Sequence, residues 1–341
     1  MKEICWGIIG CGDVTEVKSG PALQKAEGSQ LMAVMRRDAT KAEDYARRHG
    51  VPRWYTDADA LIHDRQVDAV YVATPPGAHE HYAMKVLAAG KPCYVEKPMA
   101  RNASEARRMT EAFRAKSVPL FVAYYRRALP RFLKVKQILE SGALGDLKKA
   151  SYLWRSGPPS RRQEPLPWRL QAEHAGGGLF LDLGSHVLDL LDFLIGPLET
   201  VSGFARNDAK RYEVEDFVTV SYSQNGMQGS ACWEFCCEQA RSDLFELAGE
   251  RGLLRFSCFG NEPIVLMCEG KESERFDLPN PPHVQQPLIQ TVVDELCGVG
   301  TCPSTAMSGL RTQEVMDTLL QTYYGGREDG FWMRKWPGNA L

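Results

Sequence analysis

The chain has 341 residues, 44% hydrophobic and 25% charged, the composition of an ordinary globular protein of two domains or one large one with additions. A formal net charge of −2 gives no electrostatic ground for expecting nucleic acid or an anionic membrane as partner. No apolar run reaches the ~18 residues of a membrane span, and the opening MKEICWGIIG starts a strand too early for a signal peptide. The ten cysteines form no Cys-x-x-Cys pair and lie away from histidines at zinc spacing, so no metal site is expected. Most sit in apolar runs, where a thiol behaves as a small hydrophobe, and the chain reads as reduced and cytoplasmic.

Ile4–Ile9 is a short apolar run ending in Gly10-Cys11-Gly12-Asp13-Val14-Thr15, with a helix predicted over 18–26. Strand, glycine turn and helix form the opening that binds a dinucleotide. Gly10 permits the tight turn, Gly12 lets the backbone reach a pyrophosphate, and Asp13 and Val14 complete the candidate cofactor loop. Thr15 stands where a third glycine is usual. Apolar strands at 31–35, 67–73, 92–95 and 118–123 alternate with helical patterns at 40–49, 79–89 and 103–116, which argues for a parallel, doubly wound sheet.

The second strand is followed by Arg36-Arg37-Asp38. An acidic residue there would bind the ribose 2′-hydroxyl of NAD, whereas arginine pairs with the 2′-phosphate of NADP. Arg36 comes first with Arg37 beside it, which favours NADP; the alternative is that both are solvated and Asp38 binds NAD. Two further loops lie at strand ends, where open α/β sheets bind ligands. The first, Thr74-Pro75-Pro76-Gly77-Ala78-His79, is rigid, with Thr74 and Pro75 as candidate cofactor contacts. The second, Glu96-Lys97-Pro98, presents Lys97 at the mouth of the sheet, because a residue before proline avoids helical geometry.

Arg126, Arg127 and Pro130 mark the crossing to a second domain, so the expected division is 1–125 and 126–341. A helix over 131–140 and a strand over 148–154 lead to residues 155–169, a loop with four prolines and four arginines that runs into Gly176-Gly177-Gly178. Asp182, His186 and Asp189 follow at i, i+4 and i+7, one face of a helix, beside a stripe of Leu183, Val187, Leu190, Leu191 and Leu194. Such a polar row on a core-facing element is how a site is built on a rigid support, and the glycines read as room for cofactor and substrate. The bland alternative is a wet polar face. Strand-like runs at 200–205, 217–222, 229–235, 244–248, 253–256, 264–267 and 273–278 precede a final helix over 307–324, which makes this half α+β with antiparallel pairing.

GCGDVT, TPPGAH, EKP and GGGLFLDLGSHVLD, in that order, resemble the glucose-fructose oxidoreductase / inositol dehydrogenase / rhizopine-catabolism family, written Gfo/Idh/MocA. The resemblance runs from Ile4 to about Gly325. It implies an α/β N-terminal Rossmann domain, a C-terminal α+β domain with a large, mostly antiparallel sheet, and NAD(P)-dependent oxidation or reduction of a sugar, polyol or related hydroxyl compound. It implies Lys97 as the catalytic lysine, Asp182 and His186 as the catalytic pair, and His79 as a residue that shapes the site.

On that footing His186 is the acid–base, since histidine ordinarily titrates near ~6.5. Lys97 would hold the reacting oxygen, and Asp182 would orient His186 or a second hydroxyl. Trp168 is placed to stack on an apolar sugar face and Arg155 or Arg169 to bind hydroxyls or a carboxylate, unless that loop is only solvated surface. A homodimer or homotetramer through the sheet's outer face is implied too. Two other functions suit the same fold: a non-catalytic nucleotide- and sugar-sensing regulator, disfavoured by retention of Lys97, Asp182 and His186, and an NAD-dependent glycosidase.

Overall fold

Two sheets organise the chain, each at the heart of its own compact unit. The computed structural model describes residues 3–157, 165–237 and 241–337. The first unit comprises residues 1–129 together with 281–310, the second residues 130–280 together with 311–341.

The first unit's sheet contains β1 (Ile4–Ile9), β2 (Ser29–Met35), β3 (Arg53–Tyr55), β4 (Ala69–Val72), β5 (Cys93–Val95) and β6 (Leu120–Val122), in the order β3-β2-β1-β4-β5-β6 and all parallel. Parallel strands are covered on both faces, which is why these read as unbroken apolar runs. Ile8, Ile9, Val70, Tyr71, Val72 and Tyr94 are fully buried. The crossovers are α1 (Gly20–Lys25), α2 (Ala39–His49), α3 (Ala58–Ile62), α4 (His79–Ala88) and α5 (Ala103–Ala115). Strand order reverses between β1 and β4, and the crevice beyond their carboxyl ends is where such sheets take ligands.

The helix expected over 18–26 is built differently. A π turn over Thr15–Ser19 precedes α1. Thr15, at the third-glycine position, donates its hydroxyl to the Gly12 carbonyl at 2.7 Å and is fully buried. Its own carbonyl accepts the Gly20 amide and the Tyr45 hydroxyl, the latter at 2.8 Å. A Cβ at Gly20 would lie 2.2 Å from the Tyr45 hydroxyl and 2.3 Å from the Thr15 carbonyl oxygen. Gly20, one π turn after Thr15, is therefore where a side chain is excluded, against Tyr45 of α2 and the Thr15 carbonyl.

The second unit's sheet has eight strands: β7 (Leu147–Arg155), β8 (Glu199–Arg206), β9 (Phe217–Gln224), β10 (Met227–Glu234), β11 (Ser242–Gly249), β12 (Gly252–Phe256), β13 (Ile264–Cys268) and β14 (Glu274–Phe276). Their order is β14-β13-β12-β11-β7-β10-β9-β8, antiparallel except for the β7–β10 pair. Helices α6 (Pro130–Glu140), α7 (Ala172–Ala175) and α8 (Ser185–Ile195) belong to this unit. On the sheet face that carries Tyr152, Trp233, Phe245 and Phe256, the rings interlock with centroids 4.4–5.9 Å apart, and Phe180 adds an edge contact to Trp233 at 4.9 Å. Near the C-terminus α9 (Gln286–Leu296) belongs to the first unit, and α10 (Ala306–Tyr324) has its first turn there and the rest in the second. Among the described residues, no helix is long and apolar enough to cross a membrane.

Candidate active site

At the β1/β4 reversal the chain has been stripped of side chains. Gly10 has φ +89°, and a Cβ there would lie 2.9 Å from the Thr74 methyl and 3.2 Å from the Thr74 nitrogen. Only glycine fits where the loops after β1 and β4 meet. At Gly12, by contrast, a Cβ would meet nothing nearer than the Gly10 carbonyl oxygen at 3.8 Å. Thr74 Oγ1 is buried and has no hydrogen-bond partner among the described residues, a polar group set where the cofactor loop turns. The guanidinium of Arg36 donates to the Cys11 carbonyl at 3.2 Å, so the residue after β2 reaches back to the glycine turn. Arg37 is exposed, while Asp38 is committed as N-cap of α2, accepting the Lys41 amide at 3.2 Å. Burial pushes the Cys11 thiol up to about 11. These residues fit a dinucleotide: an open backbone, a side-chain-free corner, an unmet hydroxyl and two arginines after the second strand.

Beside this loop, β5 delivers Glu96 and Lys97, with a cis bond between Lys97 and Pro98. Glu96 is buried and fully engaged. Its carboxylate accepts the Tyr71 hydroxyl (2.5 Å), the Gln285 amide (2.6 Å) and the Lys97 backbone N–H (3.0 Å), and Gln285 in turn accepts the Tyr94 hydroxyl (3.0 Å). His79 is wholly buried. One ring nitrogen lies 2.7 Å from the Thr74 carbonyl, the other 3.1 and 3.3 Å from those of Pro98 and Met99. It clasps the Thr74 loop to the turn that carries Lys97, and burial holds its pKa below the ordinary histidine value. Pro75 is exposed ahead of a 3₁₀ turn over Pro76–Ala78.

In the second unit, Asp182 lies in a π turn, Phe180–Gly184, and His186 and Asp189 in α8. Two of the three are not wet, with His186 3% exposed and Asp189 1%, while Asp182 keeps about a quarter of its side chain in solvent. Arg169 donates to Asp182 at 3.2 Å and stacks on Trp168, its guanidinium carbon 4.4 Å from the ring centroid, so three expected residues converge. Arg155 does not join them; it ends β7 and pairs with Glu234 on β10 at 3.0 Å. Residues 158–164 of the proline–arginine loop lie outside the described residues.

The glycine run is a correction to the sequence reading. It holds no open space. A Cβ at Gly178 would come 2.4 Å from the Glu215 carbonyl oxygen, and one at Gly177 would come 2.6 Å from Leu181 and 3.2 Å from both the Glu215 carboxylate and the Tyr324 hydroxyl. These glycines make room for protein, not for ligand.

The model of an oxidoreductase family with an NAD-binding Rossmann fold, Gfo/Idh/MocA, matches residues 4–124, and that of the Gfo/Idh/MocA C-terminal domain matches residues 132–255. The chain belongs to the Gfo/Idh/MocA oxidoreductase family. It is 36% identical over 325 residues to Oxidoreductase P35 of Formosa agariphila, covering 94% of this chain and 99% of that protein. It is 32% identical over 260 residues to trans-1,2-dihydrobenzene-1,2-diol dehydrogenase of Oryctolagus cuniculus, 74% of each chain. Levoglucosan dehydrogenase solved with NADH and levoglucosan shares the fold, with a TM-score of 0.80 at 21% identity over 93% of this chain and 96% of that one.

Several residues of this Gfo/Idh/MocA chain escape motif reading. Phe259 sets its ring edge-on to His186 at 6.0 Å and to Trp154 at 5.1 Å. It is held by Asp243, which accepts the Cys258, Phe259 and Gly260 amides at 2.6–2.9 Å and the Tyr152 hydroxyl at 3.0 Å. A carboxylate binding three successive N–H groups is a conformational lock, and its only trace in the sequence is an acid at the start of β11. Glu215, Tyr324 and Gln285 are likewise single residues far from the motifs they support.

Proposed function

We propose that the chain is an NAD(P)-dependent dehydrogenase or reductase of CH–OH groups in a sugar, polyol or related vicinal diol, with His186 as acid–base and Lys97 holding the reacting oxygen. The observation that carries the reading is the side-chain-free corner of Gly10 against Thr74 at the strand reversal, with Lys97 leaving the neighbouring strand end. The nicotinamide, when bound, supplies hydride exchange. The glycine turn and Thr74 take the pyrophosphate region, and Arg36 with Arg37 takes a 2′-phosphate, which favours NADP because Asp38 is occupied as a helix cap. A hydroxyl being oxidised must lose a proton, and His186 accepts it; in reduction His186 returns it. The Lys97 ammonium hydrogen-bonds the oxygen on which negative charge develops. Asp182, already held by Arg169, orients a neighbouring hydroxyl, and Trp168, Trp154 and Phe259 offer aromatic faces to its carbons. The diol dehydrogenase relative supports a substrate with adjacent hydroxylated carbons. The sheet's outer face is proposed to join subunits, and gel filtration returning a monomer overturns that part.

The test is a spectrophotometric panel of sugars, polyols, diols and their keto forms with both cofactors. Turnover of a hydroxyl or carbonyl compound, lowered about 10²–10⁴-fold in kcat by His186→Asn, supports the reading. Full activity of His186→Asn on the best substrate, or glycoside cleavage without net change in nicotinamide absorbance, overturns it.

A further inference from the structure

We propose that Glu215 is the positioning residue of the Asp182–His186 element, a sealed carboxylate that fixes the otherwise slack glycine run from which that element starts. The inference rests on the reading above that Asp182 and His186 face the substrate.

Glu215 has no exposed surface and lies just before β9. One carboxylate oxygen accepts the Gly178 amide at 2.8 Å, and the other accepts the Tyr324 hydroxyl at 2.5 Å. Burial raises its pKa despite those bonds and the nearby Arg327. A buried carboxyl is costly unless hydrogen-bonded, and an apolar side chain would fill the space at no such cost. What the carboxyl adds is direction. Three consecutive glycines have the greatest backbone freedom of any tripeptide, so the segment needs external bonds to hold one conformation.

Those bonds come from a single cluster. Gly176, with φ +83°, offers its carbonyl to the Arg327 guanidinium at 2.6 Å, while Arg327 is tied to Asp317 at 3.0 Å and lies over the Phe331 ring at 4.2 Å. Gly178 is gripped by Glu215 at its amide and uses its carbonyl to accept the Leu181 amide at 3.1 Å, opening the π turn that holds Asp182. The pinned amide is four residues from Asp182 and eight from His186, about two helical turns. A displacement of about 1 Å at a reacting group can cost about 10²-fold in rate. Glu215 thus acts through Gly178, without touching substrate.

The experiment uses the full chain as Glu215→Ala, Glu215→Gln and Tyr324→Phe, with His186→Asn alongside. Cofactor Kd, substrate KM and kcat are measured well below the melting temperature, and the His186 ring resonances are followed by NMR with isotope-labelled histidine. Expected are kcat losses of about 10²-fold for Glu215→Ala and about 10-fold for Tyr324→Phe, unchanged cofactor Kd, and displaced or broadened His186 resonances in both. Glu215→Gln, whose amide oxygen can still accept the Gly178 amide, should restore kcat to within about 3-fold, which a merely space-filling role would not require. Wild-type kcat in a folded Glu215→Ala, or in Tyr324→Phe should the alanine variant not fold, overturns the proposal. So does a glutamine variant as impaired as the alanine one. If His186→Asn keeps full activity, the catalytic reading fails by itself; unmoved His186 resonances in Tyr324→Phe then overturn the positioning role, and displaced ones support it.

Discussion

The molecule contains two glycine clusters that look alike on paper and do opposite things. Gly10 and Gly12 sit where strand order reverses, and a Cβ at Gly12 would enter open space. Gly177 and Gly178 are as densely surrounded as any core residue, pressed on Glu215, Tyr324 and Leu181. The first cluster is proposed to bring backbone to a ligand; the second brings backbone to a buried carboxylate. A glycine run therefore announces close approach without saying what approaches. The neighbouring groups decide: an unmet threonine hydroxyl in one case, a fully bonded glutamate in the other.

The comparison breaks most easily at the reacting groups proposed beside each cluster. Lys97→Met is expected to lower kcat about 10²–10³-fold, the scale of losing one donor to a developing oxyanion, while leaving cofactor affinity within a few-fold. Steady-state rates and a cofactor fluorescence titration check it. The glycines come next. Gly178→Ala is expected to destabilise the second unit by about 3 kcal/mol, at the upper end of overpacking, because its Cβ meets a backbone oxygen that cannot swing away. Gly12→Ala should leave calorimetric unfolding unchanged and weaken cofactor binding about 10-fold. If Gly12→Ala unfolds and Gly178→Ala does not, the comparison is reversed.

The legible part of this chain was the part with a period. Apolar runs gave the strands of both sheets except β3, and the three residues Arg53–Tyr55 are too few, and too polar, to show alternation. Helix α9 was missed although Leu288, Ile289, Val292, Val293 and Leu296 keep a helical spacing and Pro287 stands in its first turn. Among the proposed site residues, those in contiguous motifs were readable: Gly10, Gly12, Thr74, Lys97, Asp182, His186. Residues that act through sequence-distant hydrogen bonds were not. Gln285 reaches Glu96 across 189 positions and Tyr324 reaches Glu215 across 109, and no local pattern encodes such a pairing. The ion pair of Arg155 was hidden for the same reason. Its cross-strand partner Glu234 is set by the β7–β10 register, which a single sequence does not display.

A smaller effect separates the two cofactors. Arg36 reaches the glycine turn through the Cys11 carbonyl, and replacing it with methionine keeps much of the stem's packing while removing the charge. Arg36→Met is expected to reduce kcat/KM for NADPH about 10-fold or more, the worth of a charge-assisted bond, with little change for NADH. Equal losses for both cofactors would mean that Arg36 only braces the turn.

The smallest effect concerns the clasp that the second glycine cluster has no counterpart for. His79 lies with both ring nitrogens against backbone carbonyls, which by itself favours the imidazolium, as does Glu96 nearby; burial outweighs them and lowers its pKa below 6.5. The sign of the linkage follows. In the unfolded chain this histidine takes up a proton as pH falls through ~6.5, whereas in the folded protein it does so only at lower pH. The unfolded state thus binds more protons in that interval, and His79 withdraws stability from the first unit as pH drops below ~6.5, levelling off once the folded pKa is passed. His79→Gln, which cannot titrate, should have a lower melting temperature at pH 8 because the Thr74 and Pro98 carbonyls lose their shared ring. Its melting temperature should also fall less than that of the wild type between pH 7 and pH 5. Parallel curves for the two proteins would show that the ring titrates alike in the folded and unfolded chain, so that burial does not hold the clasp between the Thr74 loop and the Lys97 turn neutral.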